Sequence, residues 1–350
     1  FPLLKPLHEE FPRAAISILS PFGRDFFRLY PHSDLIAEAV VIDVAKRHKS
    51  IFSKLRLVSQ LREKRFDLVI CPQSGLGMIE FSAMSFLMGA RYRLGFDKDG
   101  CGWLYTTKPE LQEDRSIYTQ NLELLRAAGI NSYFDENYFS VPEEDIAFAR
   151  DLLSMHGAAD RKLIFAVSPF VLADTDNKSP QHDRSLSEPR TWPEQNYAEL
   201  ISQILQRYNA KVVLLGNRLP NGDLSGILNS GTPDLISAVG KTSIRHAAAL
   251  IKLSTILISN DSGLLHIALA LKKPCIGIFG STSPLQQIMS GRTNCTVLWK
   301  GLECSPCYIQ EPIPVIECPR EIQCLKMISV DDVMKAIEAH IAIADPNIRS

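Results

Sequence analysis

The chain has 350 residues, of which 45% are hydrophobic and 22% charged, and its formal net charge at pH 7 is −1. This length accommodates two domains with separate cores, and the composition is typical of a globular protein. The small net charge excludes a global field that attracts nucleic acid, and no apolar run approaches the roughly 18 residues of a membrane-spanning helix.

The first half alternates short apolar segments with amphipathic ones. Strands are predicted at residues 14–20, 39–44, 66–71 and 91–96, and helices at about 50–64, 81–89 and 116–128. In the 50–64 helix, Ile51, Leu55, Val58 and Leu61 are spaced along one predicted apolar face. The chain opens within helix-like sequence, so we expect a further strand upstream of Phe1. This alternation is typical of a doubly wound parallel sheet.

A second cycle of the same pattern follows a predicted hinge at residues 157–162. Strands are predicted at 163–168, 211–216, 256–260 and 273–279, and helices at 193–208, 244–252 and 330–343, with a long polar loop at 171–191. We therefore predict an α/β protein with two Rossmann-like domains, 1–157 and 158–350, that face a cleft. Ligands of such sheets bind at the carboxyl ends of the strands, and a cleft between domains is the default site.

Two similar polar turns follow neighbouring strands of the second half. Asn260-Asp261-Ser262-Gly263 precedes a helix that carries His266, and Gly280-Ser281-Thr282-Ser283-Pro284 precedes another predicted helix. Helix starts carry unpaired N–H groups and partial positive charge, so two of them suit a diphosphate. The alternative is a well-capped turn, with Asp261 or Ser262 as the N-cap, and a hydrogen-bonded core histidine at 266.

A basic segment lies between residues 46 and 65. Lys46, Arg47 and Lys49 follow a predicted strand end, which would direct them toward the cleft and suit a phosphorylated or carboxylated acceptor. The alternative is a solvated helix face. Nucleic acid is not expected as a partner, because the rest of the chain is not basic and aromatic residues are not interleaved with the cations.

Four cysteines near the C-terminus have the spacing C-x2-C-x10-C-x5-C. They are Cys304, Cys307, Cys318 and Cys324. Four thiolates with a close first pair could bind a structural zinc ion, although the second pair is spaced more widely than in most zinc ribbons. No catalytic role is expected for these thiols.

Together these motifs resemble those of glycosyltransferase family 9, the bacterial heptosyltransferases that act on lipopolysaccharide. The resemblance is carried by Asn260–Gly263 with His266, by the continuation from Pro274 to Thr282, and by Arg190-Thr191-Trp192-Pro193. In the first half, residues 66–70 and 89–96 resemble the family's N-domain pattern.

The resemblance implies a GT-B fold and a heptose donor activated by ADP, held by the C-terminal domain. It also implies a lipid-linked saccharide acceptor at the cytoplasmic side of the inner membrane, inversion at the anomeric carbon, and no cofactor for catalysis. The donor site implied by matched positions comprises Arg190, Asp261, Ser262, Gly263, His266, Gly280, Ser281 and Thr282. Arg190 stands where the family usually has lysine, and the general base is expected to be an aspartate upstream of Phe1. Three alternatives remain open: a different nucleotide sugar, a catalytically silent binder, and a zinc-dependent interaction module built on the four cysteines.

Overall fold

The computed structural model describes most of the chain. The described residues are 3–43, 47–48, 50–72, 78–112, 114–158, 163–169, 190–216, 226, 231–289, 291–307, 318 and 320–344. They form two compact units. The first contains the chain up to Tyr138 and residues 285–289, and the second contains Phe139–Pro284 and the described residues from Gly291 onward.

The first unit contains two parallel strand pairs flanked by helices. Its strands are β1 (Ile16–Ser20), β2 (Ile36–Val41), β3 (Leu68–Cys71) and β4 (Tyr92–Gly95), with β1 paired to β2 and β3 to β4. Its helices are α1 (Leu4–Glu10), α2 (Ile51–Arg62), α3 (Met78–Leu87) and α4 (Ile117–Ala127), with 3-10 helices at Arg24–Leu29 and Ser33–Leu35. The strands and helices predicted for this half are found at overlapping positions. Strand β2 and helix α3 each begin three residues before their predicted starts, and the other elements are shorter at their ends.

Helix α2 differs from its prediction in the face it buries. It begins at Ser50, whose hydroxyl accepts a hydrogen bond from the Ser53 amide at 3.2 Å. Leu57, Val58 and Leu61 are buried, but Ile51 and Leu55 of the predicted apolar face are exposed. The buried residues share one core cluster with Met84 of α3, and Ile51 and Leu55 are not among its members.

The second unit is a six-stranded parallel sheet with the strand order β10-β9-β8-β5-β6-β7. Its strands are β5 (Leu163–Ser168), β6 (Ala210–Leu214), β7 (Leu235–Ser237), β8 (Ile256–Asn260), β9 (Cys275–Ile278) and β10 (Cys295–Leu298). Its helices are α5 (Glu143–Met155), α6 (Glu194–Arg207), α7 (Ile244–Leu253), α8 (Gly263–Ala270), α10 (Gln323–Lys326) and α11 (Val330–Ala344). The four-residue helix α9 (Pro284–Gln287) begins at Pro284 of this unit, and its other residues are counted with the first unit. The predicted doubly wound α/β fold is confirmed in this unit.

The strand order reverses between β5 and β8, which are hydrogen-bonded neighbours. Apolar residues of the sheet, α6 and α11 form the core on one face, including Phe165, Ile258 and Ile337, together with Trp192 just before α6. Crevices at such a reversal are the usual ligand sites of open α/β sheets. Among the residues that the structure describes, none of the helices has the length and apolar character needed to cross a bilayer.

Helix α5 was not predicted from the sequence, and it packs within the second unit. Its residues Asp145 and Glu144 pair with Arg245 of α7, and the ring of Phe148 stacks on His246 at a centroid distance of 3.8 Å. The compact units therefore divide at Tyr138–Phe139. The functional division into 1–157 and 158–350 stays a prediction.

Candidate functional site

The first polar turn links β8 to α8. Ser262 precedes the helix in an extended conformation, with φ −150° and ψ 166°, and its hydroxyl makes no capping bond to α8. That hydroxyl instead lies 2.9 Å from the Ser259 hydroxyl. The alternative of a turn capped by the Ser262 side chain therefore does not hold. A Cβ at Gly263 would meet nothing within 4 Å, so a ligand can approach the first turn of α8 closely.

Asp261 and His266 face each other across this turn. The Nε2 atom of His266 lies 3.4 Å from the Asp261 Oδ1 atom. Asp261 is buried, whereas the His266 side chain is 28% exposed, so the imidazole lies at the surface of the turn and not in the core. A carboxylate at this distance orients the imidazole.

The second polar turn is shaped by tight packing around Gly280. A Cβ at this position would lie 2.5 Å from the Leu325 Cγ atom, so a side chain does not fit there. The Ser305 hydroxyl donates to the Gly280 carbonyl, and the Cys307 amide donates to the Ser281 carbonyl at 2.9 Å. The backbone of the turn is thereby fixed.

The second polar turn also contains two buried hydroxyl groups, those of Ser281 and Thr282. Both residues are buried, and neither hydroxyl has a hydrogen-bond partner within the described part of the chain. A buried hydroxyl left without a partner costs about 1–3 kcal/mol. The predicted helix after this turn is a single four-residue turn, α9. A helix this short offers no N-terminal anion site, so the distinctive polar groups of this turn are its two buried hydroxyls.

The two turns lie at neighbouring positions of the sheet. β8 and β9 are paired with Asn260 opposite Ile278, and the Asp261 amide donates to the Ile278 carbonyl at 3.2 Å. The carboxyl ends of both strands thus bring to one edge the first turn of α8, a carboxylate–imidazole pair and two buried hydroxyls without a partner in the described part of the chain. This combination suits a phosphorylated sugar.

Asn260 joins this edge to the segment that contains Arg190. Its Nδ2 atom donates to the Pro169 carbonyl at 2.7 Å, and its Oδ1 atom accepts from the Trp192 amide at 2.9 Å. Trp192 is fully buried, and its indole donates to the Ile328 carbonyl at 2.9 Å. Arg190, half-buried two residues earlier, is thereby tethered near the carboxyl end of β8. Sequence reasoning missed Asn260 as a site residue, and its only signal was its place at the head of the motif.

The predicted acceptor residues belong to the first unit. Arg47 is exposed, and Lys46 and Lys49 lie outside the described residues. Their acceptor role stays a prediction.

The four C-terminal cysteines form a local cluster of free thiols. Burial raises the pKa of Cys307 and of Cys324, and the neighbouring thiols of the cluster raise each pKa further. However, the described side chains include no group of three or more His, Cys, Asp or Glu placed to hold a metal ion. The zinc hypothesis therefore has no support in this part of the chain.

The chain is similar to known proteins of one family. The model of glycosyltransferase family 9 (heptosyltransferase) matches residues 54–313. Lipopolysaccharide heptosyltransferase 1 of Campylobacter coli is 26% identical over 241 residues, which is 67% of this chain and 67% of the relative.

Two solved structures share the fold. The glycosyl transferase family 9 protein of Veillonella parvula has a TM-score of 0.71 at 19% identity, covering 97% of this chain and 92% of its own. E. coli heptosyltransferase WaaC with ADP-2-deoxy-2-fluoro heptose has a TM-score of 0.63 at 16% identity, covering 97% and 94%. The chain therefore belongs to glycosyltransferase family 9, the heptosyltransferase family, and is a glycosyltransferase with the GT-B fold.

Proposed function

We propose that this chain transfers heptose from ADP-heptose to a lipopolysaccharide inner-core acceptor, with inversion at the anomeric carbon and without a catalytic metal. The observation that carries the proposal is the pair of polar turns at the adjacent ends of β8 and β9. The relatives support the chemistry, since one is a lipopolysaccharide heptosyltransferase and a solved neighbour holds an ADP-heptose analogue.

The diphosphate of the donor lies across the two turns in this proposal. The amides of Ser262, Gly263 and the first turn of α8 donate to one phosphate, and the hydroxyls of Ser281 and Thr282 donate to the other. Each donor fixed at a developing charge is worth roughly 3 kcal/mol of barrier lowering. Departure of the diphosphate is thus stabilised by the protein's own dipoles.

Arg190 supplies the positive charge that a metal ion would otherwise contribute. Its tether through Trp192 to Asn260 keeps the guanidinium close to the end of β8. A guanidinium offers a planar fork of donors to phosphate oxygens, in contrast to the point charge of lysine. The leaving diphosphate can therefore be neutralised without a bound cation.

Asp261 and His266 position the sugar. The carboxylate accepts hydrogen bonds from sugar hydroxyls, and the imidazole that it orients reaches a sugar or phosphate oxygen. Holding the anomeric carbon toward the acceptor lowers the entropic part of the barrier. On the other substrate, Lys46, Arg47 and Lys49 bind the anionic groups of a lipid-linked acceptor at the inner membrane surface.

Donor binding by single-residue variants tests the proposal. Asp261→Ala and His266→Ala are expected to weaken ADP-heptose binding by about tenfold or more in calorimetry, since each removes a contact worth at least about 1.4 kcal/mol. Glu338→Ala, an exposed carboxylate on α11, is the matched control and should bind the donor as the wild type does.

Three measurements would contradict the proposal. Tighter binding of a UDP- or GDP-sugar than of ADP-heptose would reject the donor. A product that retains the donor's anomeric configuration by NMR would reject inversion, and loss of activity in the presence of EDTA would reject metal independence. Donor binding without any transfer to the acceptor would instead favour the silent binder.

A further inference from the structure

Helix α2 exposes large apolar side chains at its first turns. Phe52 is 80% exposed and Ile51 is 64% exposed, and Leu55 is exposed one turn later. Because these positions differ by one, three and four residues, they lie along one side of the helix. The opposite side buries Leu57 and Leu61 in the core. The exposed side chains are therefore not part of the interior of the first unit.

Helix α3 exposes a second apolar stripe. Ile79, Phe86 and Leu87 are exposed, and their spacing of seven and eight residues places them on one side of the helix. Met84 on another side of α3, and Met88 directly after the helix, pack into the core shared with α2. Clustered exposure of this kind marks an interaction surface, in contrast to the scattered single apolar residues of an ordinary surface.

The two stripes belong to one surface, because α2 and α3 are joined along their length. At their first turns, the Lys54 ammonium lies 2.8 Å from the Glu80 carboxylate. At their last turns, the Arg62 guanidinium donates to the Leu87 carbonyl at 3.1 Å. We call this surface the α2–α3 face and define it by Ile51, Phe52, Leu55, Ile79, Phe86 and Leu87.

Positive charge borders the α2–α3 face. The stretch from 50 to 65 contains five cations and one acid, namely Lys54, Arg56, Arg62, Lys64 and Arg65 against Glu63. The Glu80 carboxylate pairs with Lys54, and the Glu38 carboxylate pairs with Lys64. The positive charge of this surface therefore comes mainly from the arginines. Beside α3, the Arg93 guanidinium lies 5.5 Å from the ring centroid of Phe86. This local excess stands in a chain whose net charge is only −1.

We propose that the α2–α3 face docks on an anionic lipid bilayer, with Phe52 and Ile51 inserted among the lipid headgroups and the surrounding arginines on lipid phosphates. Apolar side chains ringed by cations are the pattern of helices that lie in a bilayer interface. Two copies of this chain meeting through the same face would bring like charges together, which disfavours self-association there. The inference rests on the proposed function, since a lipid-linked acceptor places the enzyme's substrate in that bilayer.

Vesicle sedimentation tests the docking surface. The purified protein is mixed with vesicles of phosphatidylethanolamine and phosphatidylglycerol, or with vesicles of phosphatidylcholine alone. We expect the protein to pellet with the anionic vesicles, and less so as salt screens the arginines. The Ile51→Ser/Phe52→Ser variant should partition about tenfold or more weakly, since it removes two apolar anchors. Arg56→Glu should also weaken binding.

The control replaces equally exposed apolar residues elsewhere. Met155 and Ile343 are 76% and 82% exposed in the second unit, so Met155→Ser/Ile343→Ser matches the change in hydrophobicity. This control should pellet as the wild type does. Equal loss in both double variants, or no pelleting of the wild type with anionic vesicles, would overturn the proposal. So would a wild-type dimer in sedimentation velocity that the Ile51→Ser/Phe52→Ser variant abolishes.

Failure of the docking proposal can be separated from failure of the proposed function. Binding of ADP-heptose involves the second unit, so the Ile51→Ser/Phe52→Ser variant should bind the donor with unchanged affinity. Unchanged donor binding together with unchanged vesicle binding would reject the docking surface alone. A wild type that pellets with vesicles but does not bind ADP-heptose would reject the proposed function alone.

Discussion

Asn260 is a single buried side chain that holds two chain segments at the carboxyl end of β8. Asn260→Ala would leave the Pro169 carbonyl and the Trp192 amide without their partner, at a cost of about 1–3 kcal/mol for each buried group. Asn260→Asp retains an acceptor for Trp192 but places a buried carboxylate oxygen against the Pro169 carbonyl, so it should destabilise the fold at least as much as Asn260→Ala. ADP affinity should fall in both variants, because Arg190 loses its tether.

Urea unfolding and ADP calorimetry on the two variants measure both effects. Asn294→Ala is a suitable control, since its amide donates to the Lys273 carbonyl at 2.8 Å on a half-buried surface away from the turns. If Asn260→Ala lost stability while ADP affinity stayed at the wild-type level, Asn260 would be a structural residue with no positioning role.

Individual site residues were predictable only where a motif carried them. Asp261 and His266 could be named because they lie five positions apart in one strand–turn–helix motif, and this motif brings their side chains together. The exposure of Ile51 and Leu55 could not be predicted, since helical spacing shows that two residues share a side but not what covers it. The unpartnered state of the Ser281 and Thr282 hydroxyls likewise depends on packing between distant segments.

The contact between α5 and α7 depends on a buried ion pair. The Arg245 guanidinium donates to both Asp145 oxygens, at 2.9 and 3.0 Å, and both residues are buried. Arg245→Ala would strand a buried carboxylate, and we expect a loss of about 3–5 kcal/mol in the free energy of unfolding. Arg245→Met combined with Asp145→Leu should recover most of that loss, because no buried charge is then left unpaired; the Glu144 carboxylate, which also loses Arg245, is exposed to water.

Denaturant titration of these variants should be compared with that of a variant in which an exposed ion pair is broken. Arg207 and Glu338 lie 3.3 Å apart with half-exposed side chains, so Arg207→Ala should cost less than about 1 kcal/mol. Equal losses for Arg245→Ala and Arg207→Ala would show that burial of the Arg245–Asp145 pair does not matter to the α5–α7 contact.

Element prediction from the sequence succeeded where an apolar pattern was long enough to read. Strands β3, β5, β6, β8 and β9 carry continuous apolar runs and were all found. Helix α5 was missed although Pro142 and three acids in its first turn are typical start signals. Strands β7 (Leu-Ile-Ser) and β10 (Cys-Thr-Val-Leu) each contain only two consecutive aliphatic residues, whereas the equally short β3 and β9 lie within longer apolar segments of the sequence.

The architecture of the whole chain was more predictable than its site. Strands that alternate with helices admit few arrangements, and the order found in the second unit is one of the common ones. Strand order determines which strands place their carboxyl ends side by side. The sequence alone does not show how the strands pair, so it does not reveal this order. The adjacency of β8 and β9 is the feature that converts two separate turns into one candidate site.

Binding of ADP should slow amide hydrogen exchange in some parts of the chain and not in others. Hydrogen exchange can therefore map the ADP site. At a ligand concentration one hundred times Kd, bound protein gains about 2.7 kcal/mol against opening reactions that release the ligand. Amides of Gly263 to Leu265 and of Ser281 and Thr282 should therefore gain the strongest protection, because they border the proposed diphosphate. Amides of α2 and α3 should exchange at an unchanged rate, since these helices are proposed to bind lipid and not nucleotide. Protection centred on the amino ends of β8 and β9, or on α2, would place the nucleotide away from the two turns.

The same experiment with anionic vesicles in place of ADP should reverse the pattern, protecting the first turns of α2 and leaving the turns after β8 and β9 unchanged.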